Sequence, residues 1–313
     1  MYLSIFTIIF CGREPEISLD KTNSSSTGFY AWGILIFLAI IWGLSFLFIK
    51  KIVVVLNPVE LGAGRVFLAS VFLLPWVFKG MKTIPRDKFK WLLGIGILGN
   101  LFPAFIFSWV GSKLNSSLAG TLNSTTPIFV LIIGALFFAS KIQKFQIIGI
   151  IVAFTGSILL VLSGNDGQLN FANPYALLAM SATLMYGFNV NIVSKYLQGI
   201  PPLQLTSVAF FFVGLVALGV LFFTDFFAKV VAPENREITL YLLCLAGINT
   251  SMALVLFNYM LQISTPVFAS SVTYLIPIVA TVAGLMDGEV ISAWHYTGML
   301  VILVGVYVIN KKE

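Results

Sequence analysis

Residues 42–65, WGLSFLFIKKIVVVLNPVELGAGR, join the end of one apolar segment to the start of the next, and their pattern recurs. At a shift of 144 residues Trp42-Gly43 falls on Tyr186-Gly187, Lys51 on Lys195, and Asn57-Pro58-Val59 on Pro201-Pro202-Leu203. Each time an apolar run closes on a lysine and restarts behind proline. Proline fits the first turn of a helix because its missing N–H costs no helical hydrogen bond there. The chain reads as two copies of one unit.

Working outward, charged residues make up 10% of the 313 residues and apolar ones 59%, with a mean hydropathy of +1.00. A soluble domain carries about 25% charge, so the expected fold class is an all-α polytopic membrane protein. A bilayer core takes about 20 apolar residues per helix. Ten such segments can be marked, approximately 30–49, 59–78, 90–111, 117–138, 145–163, 173–193, 203–224, 239–261, 267–286 and 293–310. The chain then divides into a polar, disordered N-terminal extension (1–28), a first five-helix repeat (29–163), a polar hinge (164–172) and a second repeat (173–310). Five is odd, so consecutive copies enter the membrane from opposite sides. Ten transmembrane helices as two inverted five-helix repeats are an architecture of secondary transporters.

The net charge of +6 sorts by loop. With the N-terminus in the cytoplasm, twelve Lys and Arg, including the run Lys79, Lys82, Arg86, Lys88 and Lys90, lie on that side. Five lie opposite: Lys50, Lys51, Lys113, Lys229 and Arg236. Positive residues favour the cytoplasmic side, so both termini are expected there, in the cell membrane. No folded basic face remains to bind nucleic acid. Cys11 and Cys244 imply no disulfide framework or thiolate metal site. The opening MYLSIFTIIF is too short to span and lacks a basic flank, which argues against a cleaved signal.

Polar residues inside the segments mark a candidate path. Segment 3 holds Asn100 just before Pro103, which must bend it or break its hydrogen-bond ladder. Segment 4 holds TLNSTTP, Thr121 to Pro127, at mid-membrane, where groups freed by proline need side-chain or cavity-water partners. Pro277 follows Pro127 by 150 residues. The expected cavity residues are Trp42, Ser45, Asn100, Asn123, Thr126, Tyr186, Asn189, Asn249, Asn258 and Tyr274. For each Asn or Thr, an interhelical hydrogen bond is the alternative. Gly43 and Gly187 would supply close packing, and Pro127 and Pro277 bends, for a rocking motion. Arg65, about one turn into segment 2, has two readings: an intramembrane functional cation, or a side chain snorkelling to the interface past Glu60 and Lys50. Segment 5 carries Gly149, Ala153 and Gly156, and segment 10 carries Gly298 and Gly305, stripes of small residues for packing or for a homodimer contact.

Equally informative is what is missing. Glu60, Asp225, Asp287 and Glu289 fall at segment ends, with no carboxylate at mid-membrane to relay a proton or sodium ion. There is no GxxxxGK[ST] phosphate loop and no GxSxG elbow, and the single histidine, His295, reads as interfacial. The sequence suggests no enzyme, no cofactor and no metal site.

The order WGxSF (Trp42 to Phe46), Lys50, Pro58, Arg65, the mid-segment Pro127 and Pro277, then Gly288-Glu289, Gly298 and Gly305 resembles the EamA-type branch of the drug/metabolite transporter superfamily over residues 29–310. The resemblance implies a ten-helix exporter of amino acids or other small metabolites, with helices 1–4 and 6–9 around a central cavity and 5 and 10 peripheral. The first repeat departs from it, with Ala139-Ser140 where the second has Gly288-Glu289. The expectation is a secondary transporter exporting a small polar or zwitterionic metabolite by alternating access. A lipid translocator, or a non-transporting membrane interaction protein, is the rival.

Overall fold

The computed structural model describes residues 24–114, 116–164, 174–286 and 293–309. Residues 165–172 of the hinge, the Gly288-Glu289 pair and residues 1–23 lie outside them. Among the described residues the chain is helical with no strand, and eight helices are long and apolar enough to cross a membrane. We label the main helices α1 (Ser24–Ile52), α2 (Pro58–Thr83), α3 (Arg86–Lys113), α4 (Ser116–Asn123 and Thr126–Phe138), α5 (Lys144–Gly164), α6 (Pro174–Tyr196), α7 (Pro202–Leu221), α8 (Pro233–Ile263), α9 (Pro266–Ser270 and Val272–Met286) and α10 (Ala293–Ile309). A short helix, Phe226–Val231, links α7 to α8. α1 starts at Ser24, so the last five residues of the stretch expected to be disordered are helical. As the first turn of a 29-residue helix, SSSTG needs no helix-forming strength of its own.

The turn inside 42–65 is fixed locally. Asn57 caps α2, its Oδ1 accepting from the Val59 and Glu60 amides at 3.0 and 2.9 Å. Glu60 Oε2 in turn accepts from the Asn57 amide at 2.8 Å. This reciprocal box satisfies helix-end donors that a bilayer interface would otherwise leave unpaired.

Helices pack in corresponding pairs: α1 against α9 and α6 against α4, α1 against α8 and α6 against α3, with α2 on α7 and α5 on α10. The glycines decide how closely the first two pairs approach. A Cβ on Gly43 would stand 2.5 Å from Val279 Cβ, and one on Gly187 would stand 2.8 Å from Ile133 Cδ1 and 3.0 Å from the Phe129 backbone. Between α5 and α10 the small-residue stripes face each other, with Gly305 backed on the Ala153 backbone. That face is taken within one chain, so a homodimer through these helices would have to use their outer, apolar faces.

Two π turns, Ile97–Leu101 in α3 and Gly247–Met252 in α8, lie 150 residues apart. Such turns widen the helix and displace carbonyls from their usual donors. Side chains fill in at matching places: Asn100 Nδ2 donates to Ile95 O at 3.1 Å and Thr250 Oγ1 to Leu245 O at 2.7 Å, while Ser251 Oγ reaches Ala246 O at 2.8 Å. The sequence assigns the bend in α3 to Pro103, yet the corresponding place in α8 holds Ala253. The π turn therefore does not require a proline.

α4 and α9 are each interrupted, at 124–125 and at Ser271. The hydroxyls around the breaks donate to the carbonyl three residues back: Ser124 to Thr121, Thr125 to Leu122, Thr126 to Asn123, Ser271 to Phe268 and Thr273 to Ser270, all at 2.6–2.9 Å. α4 ends on Ala139, whose φ of 55° and ψ of 33° put it in the left-handed region, with the Ser140 amide returning to Gly134 O at 2.9 Å. Glycine is the natural residue there, and the departure from the Gly-Glu pattern is thus a conformational cost. Left-handed geometry costs alanine roughly 1–2 kcal/mol, partly offset by the extra freedom glycine has when unfolded. Ala139→Gly is expected to stabilise the protein by about 0.5–1 kcal/mol, read as a raised thermal midpoint in detergent. A lowered midpoint would contradict this account of the helix end.

Candidate functional site

At the centre, eight helices surround one cavity, and among the described residues neither α5 nor α10 contributes to it. The cavity volume is about 100 Å³, against about 10–15 Å³ for a single water on the same measure, so the space suits a small solute. The walls are aromatic. Trp42 and Phe257 stand 5.4 Å apart, Phe107 stacks on Tyr186 at 6.1 Å and 11°, and Phe46 meets Phe107 edge-on at 6.2 Å.

The sequence-predicted residues Trp42, Ser45, Asn100, Asn123, Thr126, Tyr186 and Asn189 line this cavity, and Arg65 joins them. Asn249, Asn258 and Tyr274 do not, and the expectation is corrected for these three. Asn249 Nδ2 donates to Ile41 O at 2.5 Å while Trp42 Nε1 donates to Asn249 O at 3.0 Å, a two-way tie between α1 and α8. Asn258 Nδ2 donates to Thr206 Oγ1 on α7 at 2.9 Å. Tyr274 is fully buried, its hydroxyl 3.4 Å from Ile150 O on α5. Each answers a neighbouring helix, the alternative that membrane packing offers a polar side chain. Pro127 and Pro277 also stand off the cavity, in the broken helices behind it.

Residues missed by sequence reasoning include Gly99, Thr250, Ser270 and Thr273. The signal for two of them was the repeat spacing, since Thr250 stands 150 residues after Asn100 and Thr273 150 after Asn123. Gly99 is there for room: a Cβ on it would overlap the Asn189 amide, with 2.4 Å to Oδ1.

Most hydroxyl hydrogens around the cavity are engaged on their own helix. Ser45 donates to Trp42 O at 2.6 Å, Thr126 to Asn123 O at 2.7 Å and Ser270 to Val267 O at 3.0 Å. Arg65 turns inward, away from the snorkelling route, and its Nε donates to Thr250 Oγ1 at 2.6 Å. The amide oxygen of Asn123, a residue 8% exposed, is buried without a hydrogen-bond partner. Among the described residues no cluster of three His, Cys, Asp or Glu stands ready for a metal.

Two sets of contacts bracket the cavity along α2 and α7. At one end Lys229 Nζ, beyond α7, sits 2.8 Å from both oxygens of Glu60, which is 1% exposed at the start of α2. Beside it Lys51 donates to Tyr241 OH at 3.2 Å, and Phe48 stacks on the same ring. At the other end Thr83 Oγ1, closing α2, donates to Gln204 Oε1 at the start of α7 at 2.6 Å. There Trp91 stacks on Tyr196 at 4.0 Å and 5°. Gln204 stands 144 residues after Glu60, and Tyr241 150 after Trp91.

This arrangement has relatives. An uncharacterized transporter of Archaeoglobus fulgidus is 25% identical over 291 residues, 90% of this chain and 99% of that protein. A probable amino-acid metabolite efflux pump of Salmonella typhimurium is 24% identical, over 91% of this chain and 95% of its own length. An uncharacterized inner membrane transporter of Escherichia coli K12 is also 24% identical, over 90% and 91%. A solved crystal structure shares the fold, with a TM-score of 0.68 at 16% identity over 91% of this chain and 96% of that one. The names of the three sequence relatives are those of transporters or of a probable efflux pump. The family description "EamA-like transporter family" matches the chain twice, over residues 31–162 and 173–311, and the chain belongs to that family.

Proposed function

We propose that the chain is a secondary carrier that exports a small polar or zwitterionic metabolite across the cell membrane. Its ten helices work as two inverted five-helix repeats, with both termini in the cytoplasm. The observation that carries the reading is the central cavity itself, drawn from four helices of each half and of a size for a small solute. The doubled family match supports the repeats, as do the two π turns and the corresponding contacts at the two cavity ends. Twelve basic residues against five support the orientation. The name of the Salmonella relative supports an amino-acid-like solute. A lipid headgroup with its chains would need a groove much larger than about 100 Å³ of water-accessible space.

Alternating access follows from the pairing. Both end contacts are made in this structure; rocking one half against the other would part the Glu60–Lys229 end while the Thr83–Gln204 end holds, and then the reverse. Each end would be sealed by its aromatic stack when shut.

The test is uptake into proteoliposomes of labelled amino acids and nucleosides, with and without an imposed pH gradient. Saturable flux of one solute is the expected result, and flux of none from folded protein would contradict the proposal. Insensitivity to the gradient is expected, since no carboxylate lines the cavity among the described residues.

Two substitutions separate the cavity from its supports. Asn123→Leu is expected to lower flux at least tenfold with an unchanged thermal midpoint. Asn249→Leu removes a tie between helices, worth about 1 kcal/mol in a membrane, and is expected to lower the midpoint first. Equal loss of midpoint in both would show that Asn123 is a packing residue.

A further inference from the structure

Arg65 brings the cavity a charge with no answering charge. Only its Nε has a hydrogen-bond partner among the described residues, the Thr250 hydroxyl. No Asp or Glu is among the residues that line the cavity. The carboxylate nearest along the helix, Glu60, is engaged by Lys229 and by the Asn57 amide. The two terminal nitrogens of the guanidinium are therefore left as a fork of donors in a cavity lined by aromatic rings, aliphatic side chains, amides and hydroxyls, with no anion among the described lining residues. A cation in such surroundings is costly unless it meets an anion, and a guanidinium fork matches a carboxylate in two parallel hydrogen bonds.

A second group points the same way. Asn123 Oδ1 is an acceptor that the protein leaves unpaired, on a residue 92% buried that lines the same cavity. A buried acceptor without a donor is destabilising, and a turn of the Asn123 side chain that brought it to an ammonium or hydroxyl on the solute would relieve it. A dianion such as a phosphate ester would find only one cation, whereas a monocarboxylate is matched by it.

We propose that Arg65 is the anion-recognition residue of the cavity and that the transported solute is a small monocarboxylate with a hydrogen-bond donor, which Asn123 receives. This rests on the carrier reading above and narrows it, because neutral solutes such as nucleosides lack the group that Arg65 requires.

The experiment uses the purified full chain in nanodiscs and four probes built on one carbon skeleton: L-leucine, 2-hydroxy-4-methylpentanoate, 4-methylpentanoate and L-leucinamide. Binding is followed by calorimetry. Leucine or the hydroxy acid is expected to bind at least tenfold more tightly than leucinamide, which lacks the carboxylate, and more tightly than 4-methylpentanoate, which lacks the donor. In Arg65→Gln the preference for leucine over leucinamide should fall to within twofold, and Arg65→Lys should restore part of it. In Asn123→Ala the advantage over 4-methylpentanoate should vanish while that over leucinamide stays. Leucinamide binding as well as leucine overturns the proposal on the unaltered protein alone, whether or not the Arg65 variants fold. So does a carboxylate preference that survives Arg65→Gln, or binding of none of the four probes. If nucleoside flux is seen at the same time, the carrier reading stands and only this inference fails. If no solute moves, both fail.

Discussion

A bilayer offers no water to a backbone carbonyl, and that constraint shapes every irregular turn in this molecule. A cavity at the centre of a helical bundle needs helices that widen, break or bend there. Each departure frees peptide groups that cost several kcal/mol if left alone in hydrocarbon. The chain meets this with short side chains placed at the departures. Asn100, Thr250 and Ser251 reach the carbonyls displaced by the two π turns, and the hydroxyls of 124–126, 271 and 273 hold the breaks in α4 and α9. The polarity of the interior is mostly structural. Arg65 and Asn123 are exceptions among the described residues, since the two terminal guanidinium nitrogens have no hydrogen-bond partner and neither has the amide oxygen.

The halves correspond in geometry but not in chemistry. At one end of α2 a buried carboxylate meets a lysine, and at the other end a threonine meets a glutamine. Lys229 keeps about a third of its side-chain exposure, which weakens the pair by solvent screening, yet the Glu60 end is the one held by charge. Two conformations related by exchange of the halves would then differ in free energy.

Much of the fold was legible because its signals are local or periodic. Span lengths follow from composition, the helix start at Pro58 from the covalent limits of proline, and the repeat from the 144- and 150-residue spacings. The cavity was legible in part, because polarity at membrane depth shows that a side chain needs a partner but not which way it turns. Asn123 and Asn249 are the same residue type at similar depth, and one faces the cavity while the other ties α8 to the backbone of α1. TLNSTTP reads as a path, yet three of its hydroxyls are bonded to their own helix. Thr250 and Thr273 were within reach of the repeat spacing. The π turns were not, since the residues that satisfy them look like cavity residues, and Pro103 offered a simpler reason for the bend.

The central claim is that one cavity opens to each side of the membrane in turn. A single cysteine at Ser45, in a chain whose Cys11 and Cys244 are replaced by alanine, allows a direct measurement. A membrane-impermeant maleimide is added from either side of oriented vesicles. Labelling of Ser45→Cys from both sides, each slowed by a transported solute, is the predicted result. Labelling from one side alone, whatever solute is present, would contradict alternating access.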